Sequence, residues 1–144
     1  MASSVSDDFV YQSQSGNIDF DTNTFAIRLM ATGFTFNKGT HANWSDVSAS
    51  ELAAGFGYTA GGTTLTGVTI TKDTTLHKSV TAWDNVSWTA SGGSIGPSPG
   101  AIIVKDTGVA ATSTIIAFAD FVSDQTATDG GTFTVSSIST TLTA

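Results

Sequence analysis

Short runs in which every second residue is apolar recur along this chain, and they set its fold class. Between Thr24 and Thr32, Phe25, Ile27 and Leu29 alternate with Ala26, Arg28 and Met30. Val68 and Ile70 alternate with Thr69 and Thr71, Val86 and Trp88 with Ser87 and Thr89, and Phe133 and Val135 with Thr and Ser. A repeat of two is the signature of a strand, because successive side chains leave opposite faces of a sheet. Many of the alternating polar positions are threonine or serine, of which the chain has 25 and 18. Threonine suits them because its branched β-carbon restricts the backbone toward extended conformations.

Two nearly continuous apolar stretches, Ala101 to Val104 and Thr114 to Val122, flank the polar Lys105-Asp106-Thr107-Gly108 turn region. Their length and composition predict a central hairpin covered on both faces. Leu76 to Thr81 is expected to return beside the Leu65 to Thr71 strand after a Lys72-Asp73 turn. Ser91 to Gly100 contains Pro97 and Pro99, which deny a ladder its amide donors, so a loop or sheet edge is expected there. Phe34 to Gly62 has no steady period and reads as a long connection. Within it, Asp46 to Ala54 is the one place a short helix is expected, with Ser48 as N-cap and Glu51 completing a capping box. The total is roughly seven or eight strands, which predicts an all-β fold, an antiparallel β-sandwich or jelly roll with one short helix.

At 144 residues the chain has the size of one domain. Residues 18–144 are expected to form that β-domain. Residues 1–17 hold only Phe9, Val10 and Tyr11 as sizeable apolar groups, too few to offset the ordering entropy of the segment, so they read as a flexible N-terminal arm. On this reading, removing the arm leaves the melting temperature of the domain nearly unchanged.

Charge narrows the partners. The formal net charge is −7, and the five basic residues Arg28, Lys38, Lys72, Lys78 and Lys105 are dispersed, an arrangement that repels nucleic acid and anionic membranes. The absence of cysteine excludes a disulfide framework and thiolate metal sites. Met1 to Asp8 has neither the basic start nor the apolar stretch of a secretory signal, and no window approaches about 18 continuous apolar residues, so folding in a cytoplasm is expected.

No motif assigns chemistry. His41 lies in a polar loop and His77 beside Lys78, with no Gly-x-Ser-x-Gly elbow to accompany either. Asp19-Phe20-Asp21 puts two carboxylates on one side of an extended segment, and Asp124 and Asp129 form a second acidic turn, but acidic turns ordinarily cap their own backbone. Glu51 is the only glutamate, and Gly55-Phe56-Gly57 and Gly61-Gly62 lack the residues of a phosphate cradle. The reading therefore assigns no catalytic residue, cofactor or metal. Among the aromatics, Trp88 belongs to the buried face of its strand, whereas Trp44 and Tyr58, in the Gly-rich connection, are the contact candidates.

The order of segments carries a resemblance. Ile18-Asp19-Phe20-Asp21-Thr22 leads to Phe25-Ala26-Ile27-Arg28-Leu29-Met30, then His41, Trp44-Ser45-Asp46-Val47 and Gly57-Tyr58-Thr59-Ala60-Gly61-Gly62 with Leu65. Asp84-Asn85-Val86-Ser87-Trp88 follows, then the hairpin through Ile102-Ile103-Val104-Lys105-Asp106-Thr107 to Ile116-Ala117-Phe118-Ala119-Asp120-Phe121, and Phe133-Thr134-Val135. Over residues 18–142 this resembles a family of small virion structural proteins of tailed bacteriophages. It differs at Gly96-Pro97-Ser98-Pro99-Gly100, where the family usually has a basic-aromatic strand start, and at Ser137, where the family often has Trp.

The resemblance implies a capsid decoration, or cement, protein on the virion surface, made in the host cytoplasm. Its expected partners are the major capsid protein and further copies of itself, with a homotrimer favoured, and neither nucleic acid nor membrane. The expected contacts are Phe9, Val10 and Tyr11 of the arm, with Trp44 and Tyr58 of the loop. The alternative is a tail-associated receptor or glycan-binding module using Trp44 and Tyr58.

Overall fold

A computed structural model describes residues 2–143, and Met1 and Ala144 lie outside the described residues. Ten strands follow in chain order: β1 (Ala2–Val5), β2 (Phe25–Leu29), β3 (Thr63–Thr64), β4 (Thr69–Asp73), β5 (Lys78–Ala82), β6 (Val86–Thr89), β7 (Ile95–Lys105), β8 (Ile115–Ala127), β9 (Thr132–Val135) and β10 (Ser139–Thr143). One α-helix, α1 (Asp7–Gln14), follows β1. Every pairing is antiparallel. The main sheet has the order β1-β8-β7-β2-β3, and two smaller sheets, β10-β5-β4 and β6-β9, complete an all-β sandwich.

The β7–β8 hairpin is the centre of the fold, and both its faces are covered. Along β7, Ala101 and Ile103 enter one apolar cluster while Ile102 and Val104 enter another. Their partners follow suit, since Ile103 pairs with Ala117 and Ile102 with Phe118. The larger cluster is closed by Trp83, Val86, Trp88, Phe133, Val135 and Ile138 of the smaller sheets and their connections. The other is closed by Trp44 and Val47, with Phe34 and Phe36 packed against it. This two-sided burial explains why all five residues of β2 are buried despite their alternation.

Several expectations change in the structure. The N-terminal segment is no loose arm. β1 pairs with β8 from Ala2↔Asp120 to Val5↔Ala117, and Ser6 then caps α1, its Oγ accepting the Phe9 N–H at 2.9 Å and donating to the Ile115 carbonyl. Phe9 is fully buried and meets Phe20 edge-on at 6.0 Å. A count of apolar side chains misses the main-chain bonds that a four-residue strand gains on an open sheet edge.

The helix is also misplaced, since within Asp46 to Ala54 only the 3-10 turn Ser48–Ser50 forms, preceded by a second at Trp44–Asp46. The carboxylate of Asp46 accepts the Ala42 and Asn43 N–H groups at 3.0 and 2.9 Å. Glu51 does not close a capping box on Ser48, because its carboxylate turns to Tyr58 and Gly61. At Pro97 and Pro99 the sheet-edge alternative holds, since β7 continues through both with its register against β8 shifted on either side of Ser98. The ladder with β2 covers only residues 101–105 of β7, so the prolines fall in its half-edge portion, where a missing amide is tolerated.

The expected β4–β5 hairpin forms, but its turn lies at residues 74–77, with Lys72 and Asp73 still in β4 and Leu76 in the turn; Asp73 Oδ1 holds the turn by accepting the Thr75 and Leu76 N–H groups at 3.0 and 2.9 Å. Ile70, expected on a buried face, is half exposed, because β4 stands at the open edge of its sheet.

Candidate partner-binding surface

The aromatic residues singled out as contacts divide into buried and exposed groups. Trp44 is buried, its N–H donating to the Ser113 carbonyl at 2.8 Å, and its ring carries the Arg28 guanidinium at 4.4 Å from the centroid. Arg28 in turn pairs with Asp106 at 3.2 Å. Its side chain is almost covered while Asp106 reaches solvent, and Arg28 Nε has no hydrogen-bond partner among the described residues. The three residues line a shallow recess of about 280 Å³ with Val109 and Ser113. Stacking on an indole suits a planar, weakly hydrated guanidinium and lets a charged residue sit on a mostly buried sheet face.

Tyr58 is also buried, packing edge-on against Trp88 at 5.5 Å. Its hydroxyl accepts the Leu29 N–H at 3.0 Å and donates to Glu51 at 2.8 Å, and the same Glu51 oxygen accepts the Gly61 N–H at 2.7 Å. Burial, followed by the neighbouring Glu51 carboxylate, pushes the Tyr58 hydroxyl well above the usual phenol range. The loop closes onto β2 at Gly62, where φ is +66° and a β-carbon would lie 1.9 Å from the Ile27 carbonyl oxygen. Trp44 and Tyr58 thus hold the long connection to the main sheet and offer no stacking face to a ligand.

The first-segment candidates separate across α1. Phe9 is in the core, while Val10 is partly exposed and Tyr11 is 66% exposed. Residues 9, 10 and 11 are consecutive, so about 100° of rotation per residue turns the second and third away from the face that holds the first. The result is a rigid helix, anchored by Phe9, that presents Val10 and Tyr11 outward.

The other singled-out groups serve their own loops. Asp19 accepts the Thr22 hydroxyl at 2.8 Å and the Asp21 N–H at 2.9 Å, and these bonds, the Thr22 hydroxyl foremost, hold its carboxyl below the usual range. Asp129 accepts the Gly92 N–H at 2.8 Å, and Asp124 binds the Thr32 hydroxyl. His41 Nδ1 accepts the Asn37 N–H at 3.1 Å and its ring stacks on Phe34. Among the described residues no three His, Asp or Glu side chains converge as a metal site would require, and no helix is long and apolar enough to cross a membrane.

Two exposed apolar sites are new in the structure. Between Ser98↔Gln125 and Gly100↔Asp120, β8 spends more residues than β7, so it bulges outward at 121–124. At the bulge Val122 adopts φ +71° and is 86% exposed, its N–H held by Asp120 at 2.7 Å. A β-branched residue in the left-handed region is a costly conformation. Behind the bulge a cleft of about 420 Å³ separates β8 from β9, with Phe121, Ala127 and Phe133 supplying its apolar lining. The second feature is the β4–β5 hairpin, whose tip exposes Leu76. Neither is visible as a period, since the bulge depends on the register of β8 against β7 and Leu76 lies in the turn at the hairpin tip.

Comparison of the chain with protein-family models, curated proteins and solved structures gives no match.

Proposed function

We propose that this chain is a capsid decoration protein that binds the outer surface of a phage head shell and stabilises it. The resemblance of residues 18–142 to small virion proteins supplies the setting. The observation that carries the reading is helix α1: Phe9 is buried in the core while Val10 and Tyr11 stand exposed on an element already ordered in the free protein. A contact made through a preformed helix avoids the ordering cost of a docking arm. Such a protein needs no bond-making chemistry, only a stable body and outward-facing contacts. The proposed partners are the major capsid protein and further copies of the chain.

The tail-associated receptor or glycan-binding alternative loses the residues that suggested it, because Trp44 and Tyr58 are covered. Cosedimentation with head shells stripped of accessory proteins tests the proposal. The intact protein is expected to saturate shells at a copy number comparable to that of the major shell protein. Val10→Asp combined with Tyr11→Asp is expected to abolish sedimentation while leaving the melting temperature unchanged. A protein that fails to bind shells, or that binds only at a single vertex, would refute the reading.

A further inference from the structure

We infer that the β4–β5 hairpin tip of one copy seats in the β8–β9 cleft of a second copy, giving a head-to-tail contact between identical chains. The inference does not rest on the capsid reading, because both halves of the contact belong to this chain. β4 is exposed along most of its length and has β5 as its one ladder partner, so its outer side is the open edge of the sheet. Its turn is rigid, tied by Asp73 to the amides of Thr75 and Leu76. The tip displays exposed Leu76, and the hairpin around it carries Lys72, His77 and Lys78 against one acid, Asp73.

The cleft has the complementary character. Its walls are apolar at Phe121, Ala127 and Phe133, and Val122 stands at the lip. From Asp120 to Ser136 the chain carries Asp120, Asp124 and Asp129 and no Lys, Arg or His. Of these acids Asp120 lines the cleft itself, and an apolar hollow with a carboxylate on its wall and no cation in its stretch of chain fits an apolar tip between two lysines. The excess of acid elsewhere on the chain makes this hairpin, with two of the five Lys and Arg residues, the part of the molecule best matched to the cleft.

The two features cannot meet within one copy. Ser136 lines the cleft and the chain runs from there into β10, whose first residue Ser139 pairs with Ala82, while Thr143 at its other end pairs with Lys78 beside the hairpin tip. Tip and cleft therefore lie at opposite ends of β10, roughly 13 Å apart along a strand of that length. A contact between two different patches is heterologous, so copies join head to tail and close into a ring if the rotation permits.

Sedimentation velocity on the full chain over a range of concentration and salt tests this. The wild-type mass is expected to rise with concentration and to fall as salt screens the lysine–aspartate attraction. Leu76→Ser at the tip and Thr132→Arg in the cleft alter exposed side chains, so each is expected to keep the wild-type melting temperature. Each is also expected to raise the dissociation constant roughly thirtyfold or more, the cost of losing an interface hot spot. An equimolar mixture of the two variants should form a heterodimer that grows no further, because the mixture holds one intact tip and one intact cleft per pair. A wild-type chain that stays monomeric throughout overturns the inference, as does a variant that assembles like wild type or a mixture that yields no heterodimer. Binding of an oligolysine peptide in the cleft by a chain that never self-associates would assign the cleft to a basic partner instead.

Discussion

The Tyr58 hydroxyl joins two distant stretches of backbone, accepting the Leu29 N–H at 3.0 Å while donating to the Glu51 carboxylate at 2.8 Å. Tyr58→Phe removes both bonds with almost no change in volume and leaves a buried amide without its acceptor. The expected loss is about 1–3 kcal/mol, read as a lower midpoint in urea unfolding with an unchanged slope.

The same hydroxyl predicts an alkaline limit to stability. Its affinity for the proton is raised in the folded state above the ordinary phenol value of 10.0, so the folded state holds a proton that the unfolded state releases. The contribution is complete below pH 10 and declines as pH rises above it toward the folded-state value. Unfolding free energy measured from pH 8 to 11 should fall more steeply in the wild type than in Tyr58→Phe. Equal slopes would mean that Tyr58 does not contribute.

Phe9→Ala should be among the most damaging single substitutions. The side chain is fully buried against Phe20, and replacing a buried phenylalanine by alanine costs about 3–5 kcal/mol. Deletion of residues 1–17 is expected to cost at least as much, since it also strips β1 from β8. Calorimetry of the truncated chain checks this, and a melting temperature equal to that of the full chain would restore the loose-arm reading.

Val122→Gly should stabilise the protein. Left-handed backbone at a β-branched residue costs about 1–3 kcal/mol, while glycine in its place forfeits about 0.5–1 kcal/mol of chain entropy. The side chain is almost wholly exposed, so little packing is lost and a gain of about 1 kcal/mol is expected in thermal unfolding. Val122→Ala, which keeps a β-carbon, should recover less.

Asp106→Asn leaves the Arg28 guanidinium on its indole without a carboxylate. Breaking a fully buried ion pair costs about 3–5 kcal/mol, but Asp106 reaches solvent, so a loss of about 1–2 kcal/mol is expected in denaturant unfolding. Trp44→Leu should add to that loss by less than its value alone, because the two side chains hold the same guanidinium.

The strands that were readable are those whose burial repeats along the chain. Val86, Trp88, Phe133 and Val135 alternate in sequence and are buried in the structure, and the two apolar runs around Asp106 became the hairpin covered on both faces. The errors share one cause. Ala2–Val5 is a strand through the open edge of β8, 115 residues or so away in the chain and only about 5 Å away in space. Trp44 and Tyr58 sit in Gly-rich sequence that looks like surface, yet the first packs under Arg28 and the second onto Leu29.

What the sequence by itself determined is the all-β class, the antiparallel hairpins and the central apolar pair of strands, because periodicity and turn residues act between neighbours along the chain. Only the tertiary structure decided which apolar side chains are left outside. Val10 and Tyr11 face outward because Phe9 takes the core position on α1. Val122 projects because β8 spends more residues than β7 across one bulge, and Ile70 because β4 is an edge. Exposure is a property of register and packing between distant segments, and no local pattern of residues encodes it.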